Sequence, residues 1–97
     1  MKVCVVIPAY NEANVIADVV ADVIKELQKT SYIYEVVVVN DGSTDQTASE
    51  AEKAGATVIR HILNSGAGSA TATGLSYANQ NSFEIVATMD ADGQHLP

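Results

Sequence analysis

Ile85-Val86-Ala87-Thr88-Met89 runs directly into Asp90-Ala91-Asp92-Gly93-Gln94-His95. The first five residues form a short apolar run, which reads as a buried strand. The run empties into a loop with two carboxylates one residue apart. Ionised carboxylates are costly to bring together unless something positive sits between them. In a mostly parallel α/β sheet, the carboxyl ends of strands are where ligands bind. A divalent cation carrying a diphosphate satisfies both conditions, because Mg²⁺ is usually held by one or two carboxylates together with phosphate oxygens.

The chain leading to this loop alternates between two periodicities. Val3 to Ile7 is a continuous apolar run closed by Pro8, as expected of a strand buried on both faces. Val15, Ile16, Val19, Val20, Val23, Ile24 and Leu27 recur at helical spacing, with Asp18, Asp22, Lys25, Glu26 and Lys29 on the opposite face. Asn11 is expected to cap that helix. Val36 to Val39 is a second strand. Ser43-Thr44-Asp45-Gln46 matches a capping box, with Ser43 at the N-cap and Gln46 three residues on. The helix it opens carries Ala48, Ala51 and Ala54 on one face, and Gly55 suits the left-handed position that ends it. Thr57 to Ile62 is a third strand, Gly66 to Asn79 a third helix, and Ile85 to Met89 the fourth strand. This βαβαβαβ order predicts an α/β fold: a Rossmann-like parallel sheet with helices on both faces. No linker, repeat or low-complexity tract divides residues 1–97.

Composition narrows the function. The 97 residues carry a net charge of −7 with five Lys and Arg together, so no basic patch exists for nucleic acid or an anionic membrane. An acidic chain that binds an anionic nucleotide needs a metal, helix N-termini or basic groups from elsewhere. Cys4 is the lone cysteine and reads as a small apolar side chain of the first strand. The N-terminal apolar run is too short for a signal peptide and no stretch is long enough to span a bilayer, so a soluble, cytoplasmic chain is expected. The sequence stops at Pro97, just past its most suggestive loop, which is the pattern expected of the first part of a longer protein. A fourth strand left uncovered there is expected to self-associate through its unpaired edge into a homo-oligomer.

Three strand ends carry polar clusters: Pro8-Ala9-Tyr10-Asn11-Glu12, Asn40-Asp41-Gly42-Ser43-Thr44-Asp45 and Asp90-Ala91-Asp92-Gly93-Gln94. In a parallel sheet all three emerge on one rim. Each cluster alone reads equally as a turn, since Asn, Asp, Gly and Ser are turn residues. Together, their acidic groups would repel unless they met a cation or gripped different parts of one ligand. Asn64-Ser65-Gly66-Ala67-Gly68 reads either as a backbone approach to phosphate or as a turn where helix and strand pack closely. Thr71 stands where GxGxxG needs its third glycine, and no Walker lysine follows. His61 reads as a satisfied core or surface residue. His95 lies next to the acidic loop and stays open as a ligand.

Val5-Val6-Ile7-Pro8-Ala9-Tyr10-Asn11-Glu12, Val38-Val39-Asn40-Asp41-Gly42-Ser43-Thr44-Asp45, Asn64 to Ala70 with Gly74, and Asp90 to His95 resemble, in that order, the inverting family 2 glycosyltransferases of GT-A fold. The last motif is most similar to the branch resembling dolichyl-phosphate mannose synthase and other polyprenyl-phosphate sugar transferases. The resemblance implies the N-terminal half of a nucleotide-diphospho-sugar transferase fold, occupying residues 1–97. It implies that Pro8, Ala9, Tyr10 and Glu12 line the nucleoside pocket and that Val39 and Asp41 hold the base. Asp90 and Ala91 would meet the ribose and diphosphate, and Asp92, with Asp90 and Gln94, would hold Mg²⁺ or Mn²⁺.

The implied reaction is inverting transfer of a sugar from a UDP- or GDP-sugar donor to a polyprenyl or dolichyl phosphate, or to a saccharide acceptor. A longer protein of this kind would be membrane-associated. The family's general base and acceptor elements lie beyond the Asp-Ala-Asp motif, so no catalytic residue is assigned within this chain. The Asn64 to Ala70 loop also lacks the basic residue that many relatives carry. The competing reading is a non-catalytic α/β module that binds a nucleotide sugar or only a metal.

Overall fold

The computed structural model describes residues 1–62 and 65–91. Four parallel strands, β1 (Lys2–Ala9), β2 (Ile33–Asp41), β3 (Thr57–His61) and β4 (Ile85–Thr88), form one sheet in the order β3-β2-β1-β4. Helices α1 (Ile16–Gln28), α2 (Thr47–Ala54) and α3 (Ala67–Gln80) connect them. The central pair is in register from Lys2 against Ile33 to Ala9 against Asn40.

The strand pleat sorts the apolar runs to two faces. Val5, Ile7 and Ala9 of β1 and Val36 and Val38 of β2 pack with Ile16, Val19 and Val20 of α1 and Ala51 of α2. Cys4, Val6, Val37 and Val39 pack on the other face with Ala70 and Ala78 of α3. Residues from Cys4 to Ile7 and from Val36 to Val39 therefore alternate between two apolar faces, which is why β1 and β2 read as continuous hydrophobic stretches. Gly74 lets α3 lie flush on the sheet: a Cβ there would fall 2.2 Å from Val6 Cγ1. Gly55 ends α2 at φ 110°, the left-handed position expected of it.

Two expected helix starts are corrected. Asn11 does not cap α1, which begins at Ile16 after the Glu12 carbonyl accepts from the Val15 and Ile16 amides at 3.0 and 2.8 Å. Asn11 instead takes φ 51°, and its Oδ1 accepts from the Thr44 amide at 2.8 Å. Ser43 does not open α2, which begins at Thr47 with Gln46 as its boundary residue. The Ser43 hydroxyl accepts from the Asn11 amide at 2.9 Å instead. The physical reason is the same in both cases. The groups that could have capped their own helices are taken by the neighbouring strand-end loop.

The last two strands also end earlier than expected, at His61 and Thr88, although the Met89 amide still bonds the Val6 carbonyl at 3.1 Å. The expectation of a buried fourth strand is corrected as well. β4 lies at the sheet edge and Ile85 is 43% exposed. Among the described residues no helix is long and apolar enough to cross a membrane.

Candidate functional site

Parallel pairing brings the ends of β1, β2 and β4 to one rim of the sheet. There Pro8, Ala9, Tyr10, Glu12, Asp41, Asp90 and Ala91 line a cleft of about 150 Å³, closed on one side by Ala70 of α3. All but two of the residues expected to contact a nucleotide sugar thus stand around one opening. Val39 is the first exception. It is fully buried in the cluster with Val37, Ala70 and Ala78, so its side chain is core and does not line the cleft. Asp92 is the second; with Gln94 and His95 it lies outside the described residues. Tyr10 and Asp90 stand exposed at the mouth, whereas Ala91 is buried against the α1 face of the core.

Two loops that form the cleft are laced together by side chains acting on backbone. The Glu12 amide donates to Thr47 Oγ1 at 2.9 Å and the Ala13 amide to Asp45 Oδ2 at 3.3 Å. Asp45 also accepts from the Thr47 amide at 3.0 Å and from the Thr47 hydroxyl. The Thr47 hydroxyl is the main cause that holds Asp45 below the ordinary carboxylate range. These bonds fix the direction in which Tyr10 and Glu12 leave the end of β1.

Asp41 is the most constrained group of the site. It is 3% exposed, and both of its oxygens are engaged. Oδ1 accepts from His61 Nδ1 at 2.9 Å, from the Ser65 amide at 3.0 Å and from the Ser65 hydroxyl at 2.8 Å. Oδ2 accepts from the Gly66 amide at 2.8 Å and shares the Ser65 amide at 3.2 Å. Burial alone would raise this carboxyl, but the bonds from Ser65, His61 and Gly66 outweigh it and hold it down at about 2.

The glycine-rich turn is thereby settled for its described part. Its Ser65 and Gly66 amides point at a carboxylate of the chain, and Gly66 adopts φ 96° to allow it. The repulsion expected between acidic clusters is also partly offset from within, since the Asp41 and Asp45 carboxylates are stabilised as anions by hydrogen-bond donors of the chain itself. His61 is satisfied, as expected, with Nε2 2.9 Å from Thr73 Oγ1. Its link to Asp41 was missed. The available signal was position: both residues end adjacent strands, and they are register partners. Ala70 was likewise not singled out, although it lines the cleft.

The lining contains three carboxylates, Glu12, Asp41 and Asp90, and no Lys or Arg among the described residues. Arg60 is turned away toward Glu52 at 3.4 Å. Among the described lining residues, nothing but a bound cation would offset the charge of a diphosphate here. Among the described residues no three His, Cys, Asp or Glu side chains are grouped to hold a metal unaided. With Asp41 saturated by internal donors, Asp90 is the described carboxylate at the mouth that fits a hard cation, in keeping with a metal shared between protein and phosphate oxygens.

A parallel sheet with a ligand cleft at its strand ends and hard oxygen donors at the mouth is the arrangement of the GT-A nucleotide-diphospho-sugar transferases. The chain belongs to glycosyltransferase family 2: the family described as "Glycosyl transferase family 2" matches residues 4–97. It is 45% identical over 96 residues to an uncharacterized protein of Methanocaldococcus jannaschii, covering 99% of this chain and 37% of that protein. It is 37% identical to a UDP-N-acetylglucosamine–dolichyl-phosphate N-acetylglucosaminyltransferase of Methanococcus voltae, covering 95% of this chain and 41% of that protein. Among solved structures it is similar to glucosyl-3-phosphoglycerate synthase of Mycobacterium tuberculosis in complex with Mn²⁺, UDP and glucosyl-3-phosphoglycerate. The TM-score is 0.74 at 31% identity, over 93% of this chain and 33% of that one. The chain thus spans about two-fifths of the length of these two curated relatives.

Proposed function

We propose that this chain is the donor-binding part of an inverting glycosyltransferase that moves a sugar from a nucleoside diphosphate to a polyprenyl or dolichyl phosphate. The observation that carries the reading is the convergence of Pro8, Tyr10, Glu12, Asp41 and Asp90 on one cleft at the strand ends. The lipid-phosphate acceptor rests on the likeness to the dolichyl-phosphate transferase of Methanococcus voltae. A protein acting on such a lipid would work at a membrane surface.

In this reading Asp41 borders the base, Tyr10 and Glu12 border the nucleoside, and Asp90 and Ala91 border the ribose and diphosphate. Asp90, Asp92 and Gln94 would hold Mg²⁺ or Mn²⁺, as the M. tuberculosis synthase is seen with Mn²⁺ and UDP. Such a metal, when bound, stabilises the negative charge that builds on the departing diphosphate. The chain's own contribution is placement. The Asn11–Thr44 and Glu12–Thr47 bonds fix the nucleoside side of the cleft, and the bonds to Asp41 fix its floor. The general base and the acceptor site are assigned to the portion of the relatives that this chain does not span.

The test is a transfer assay on the intact protein. Radiolabelled UDP- and GDP-sugars are offered with polyprenyl phosphate and Mn²⁺, and label is followed into the lipid phase. Label in lipid that disappears without Mn²⁺ supports the reading. Absence of label with every donor, despite nucleotide binding, would leave a binding module and overturn the transferase.

A further inference from the structure

We propose that the open face of β4 beside α1 seats an amphipathic helix with Lys or Arg along one shoulder. That helix belongs to the same polypeptide and lies outside residues 1–97.

The two helices on this face leave the fourth strand bare. α1 and α2 lie side by side, and their apolar residues cover β1, β2 and β3. Register sets Ile85 and Ala87 of β4 beside Val3 and Val5 of β1. Val5 faces α1, so by the strand pleat Ile85, Ala87 and Met89 face the same way. Ile85 and Ala87 are both exposed. Val86, pointing the other way, packs into the cluster under α3. The strand is therefore covered on one face and open on the other. The opening is a groove of about 410 Å³, with Ala87 and Met89 as its floor and Val19, Val23 and Leu27 of α1 as its wall.

The shape of the α1 wall matches a helix. Val19, Val23 and Leu27 recur every four residues, the row that forms a ridge for packing against a second helix. That ridge is not the one used by α2. Ile24 is turned the other way, so that a Cβ at Gly55, just past the end of α2, would fall 3.0 Å from its Cδ1. One apolar flank of α1 thus has a helical neighbour, and the flank above β4 has none among the described residues. An amphipathic helix laid into such a groove buries its apolar face against both the ridge and the strand.

Charge sets the chemistry of the occupant. Asp22 and Glu26 also line the groove, four residues apart on the shoulder of the ridge. Asp22 has no ion-pair partner among the described residues, and Glu26 meets Lys29 at 3.0 Å in a largely exposed pair. Charged rows beside an apolar seam choose their partners by opposite charge. The two acids therefore call for Lys or Arg and oppose the phosphate end of a lipid. A second copy of this chain would bring its own net charge of −7 to the contact. The same polypeptide has the length to supply the helix if it resembles its relatives. This chain covers 37% of the M. jannaschii protein and 41% of the M. voltae transferase.

The groove adjoins the candidate site. Met89 forms part of its floor, and Asp90, the next residue, stands at the mouth of the cleft. A helix resting on Met89 holds the end of β4 and with it the placement of Asp90.

The experiment places two probes, one at a time, in the intact protein. Ala87→Cys puts a thiol on the groove floor, where the exposed Ala87 now stands; Cys4 is fully buried. Under a helix, the new thiol should react with a maleimide slower by about tenfold or more in the folded protein than in denaturant. Glu26→p-benzoylphenylalanine then identifies the cover. Irradiation should link position 26 to a segment of the same polypeptide outside residues 1–97 that carries Lys or Arg, giving a product of monomer mass. Reaction of A87C at the denatured rate would overturn the proposal. So would a product of dimer mass, a link confined to residues 1–97, or no link at all. Should A87C fail to fold, the crosslink decides alone. Neither probe lines the nucleotide cleft, so loss of UDP binding and loss of the helix contact are read separately.

Discussion

His61 Nδ1 stands 2.9 Å from Asp41 Oδ1, a bond between the last residues of two neighbouring strands, β2 and β3. It joins a buried carboxylate at the floor of the cleft to α3, because the same imidazole reaches Thr73 on its other side at 2.9 Å. Asp41 is thus both a wall of the site and the anchor of the turn that leads into α3.

That anchoring has a pH signature. The Asp41 carboxyl lies at about 2 in the folded chain against an ordinary 3.8. A group lowered on folding contributes stability above the unfolded value, and the contribution is lost as pH falls through the folded one. Asp41 should therefore stabilise the fold by roughly 2 kcal/mol above pH ~4, declining toward pH ~2. Urea unfolding of wild type and D41N across this window checks it. The stability difference between them should shrink steadily with acid.

The contact between Gly74 and Val6 sets the distance of α3 from the sheet. A Cβ at 2.2 Å from Val6 Cγ1 cannot be accommodated without moving the helix or the central strand. G74A should cost about 1–3 kcal/mol despite the better helix propensity of alanine. G74A combined with V6A should recover part of that loss. Thermal unfolding of the two variants measures both.

Thr47 is fully buried and holds the Glu12 amide through its hydroxyl. T47V keeps the shape and removes the hydroxyl that accepts from the Glu12 amide and donates to Asp45. A loss of about 1–3 kcal/mol is expected. Amide exchange should show the Asn11–Ala13 segment opening faster in the variant, with the β1–β2 pairing little changed.

Cys4 is fully buried in β1, and burial, reinforced by the charge of Glu35, pushes its thiol up to about 11. A group raised on folding costs stability as pH climbs from its unfolded value, near 9, toward the folded one. Folded protein should resist thiol-directed reagents at pH 8 and react at the usual rate only in denaturant. C4A should flatten the fall in stability between pH 9 and 11.

The sheet was legible in the sequence because its two central strands are buried on both faces. Val3 to Ile7 and Val36 to Val39 could hardly be anything but strands once helix-period segments separated them. Gly55 was legible for a local reason, since a helix end in the left-handed region has a residue preference of its own. The helix starts were not. Ser43 and Asn11 bond partners about thirty residues away, and a capping rule sees only the segment in which a residue sits. The rim residues were legible as a set, because strand ends in a parallel sheet share one side. What stayed hidden was the internal chemistry of that rim. Nothing in the letters of Asp41 or His61 says that the carboxylate is already bonded by the chain, and Val39 reads as a site residue until the pleat turns it into the core.

The most direct test of the cleft as a metal-assisted nucleotide site is UDP titration of the intact protein with Mn²⁺ and then with EDTA, in wild type and D90A. Three carboxylates and no basic residue line the described cleft, so UDP should bind with Mn²⁺, lose at least tenfold in affinity with EDTA and weaken in D90A. Binding of equal strength in EDTA, or no binding under either condition, would contradict it.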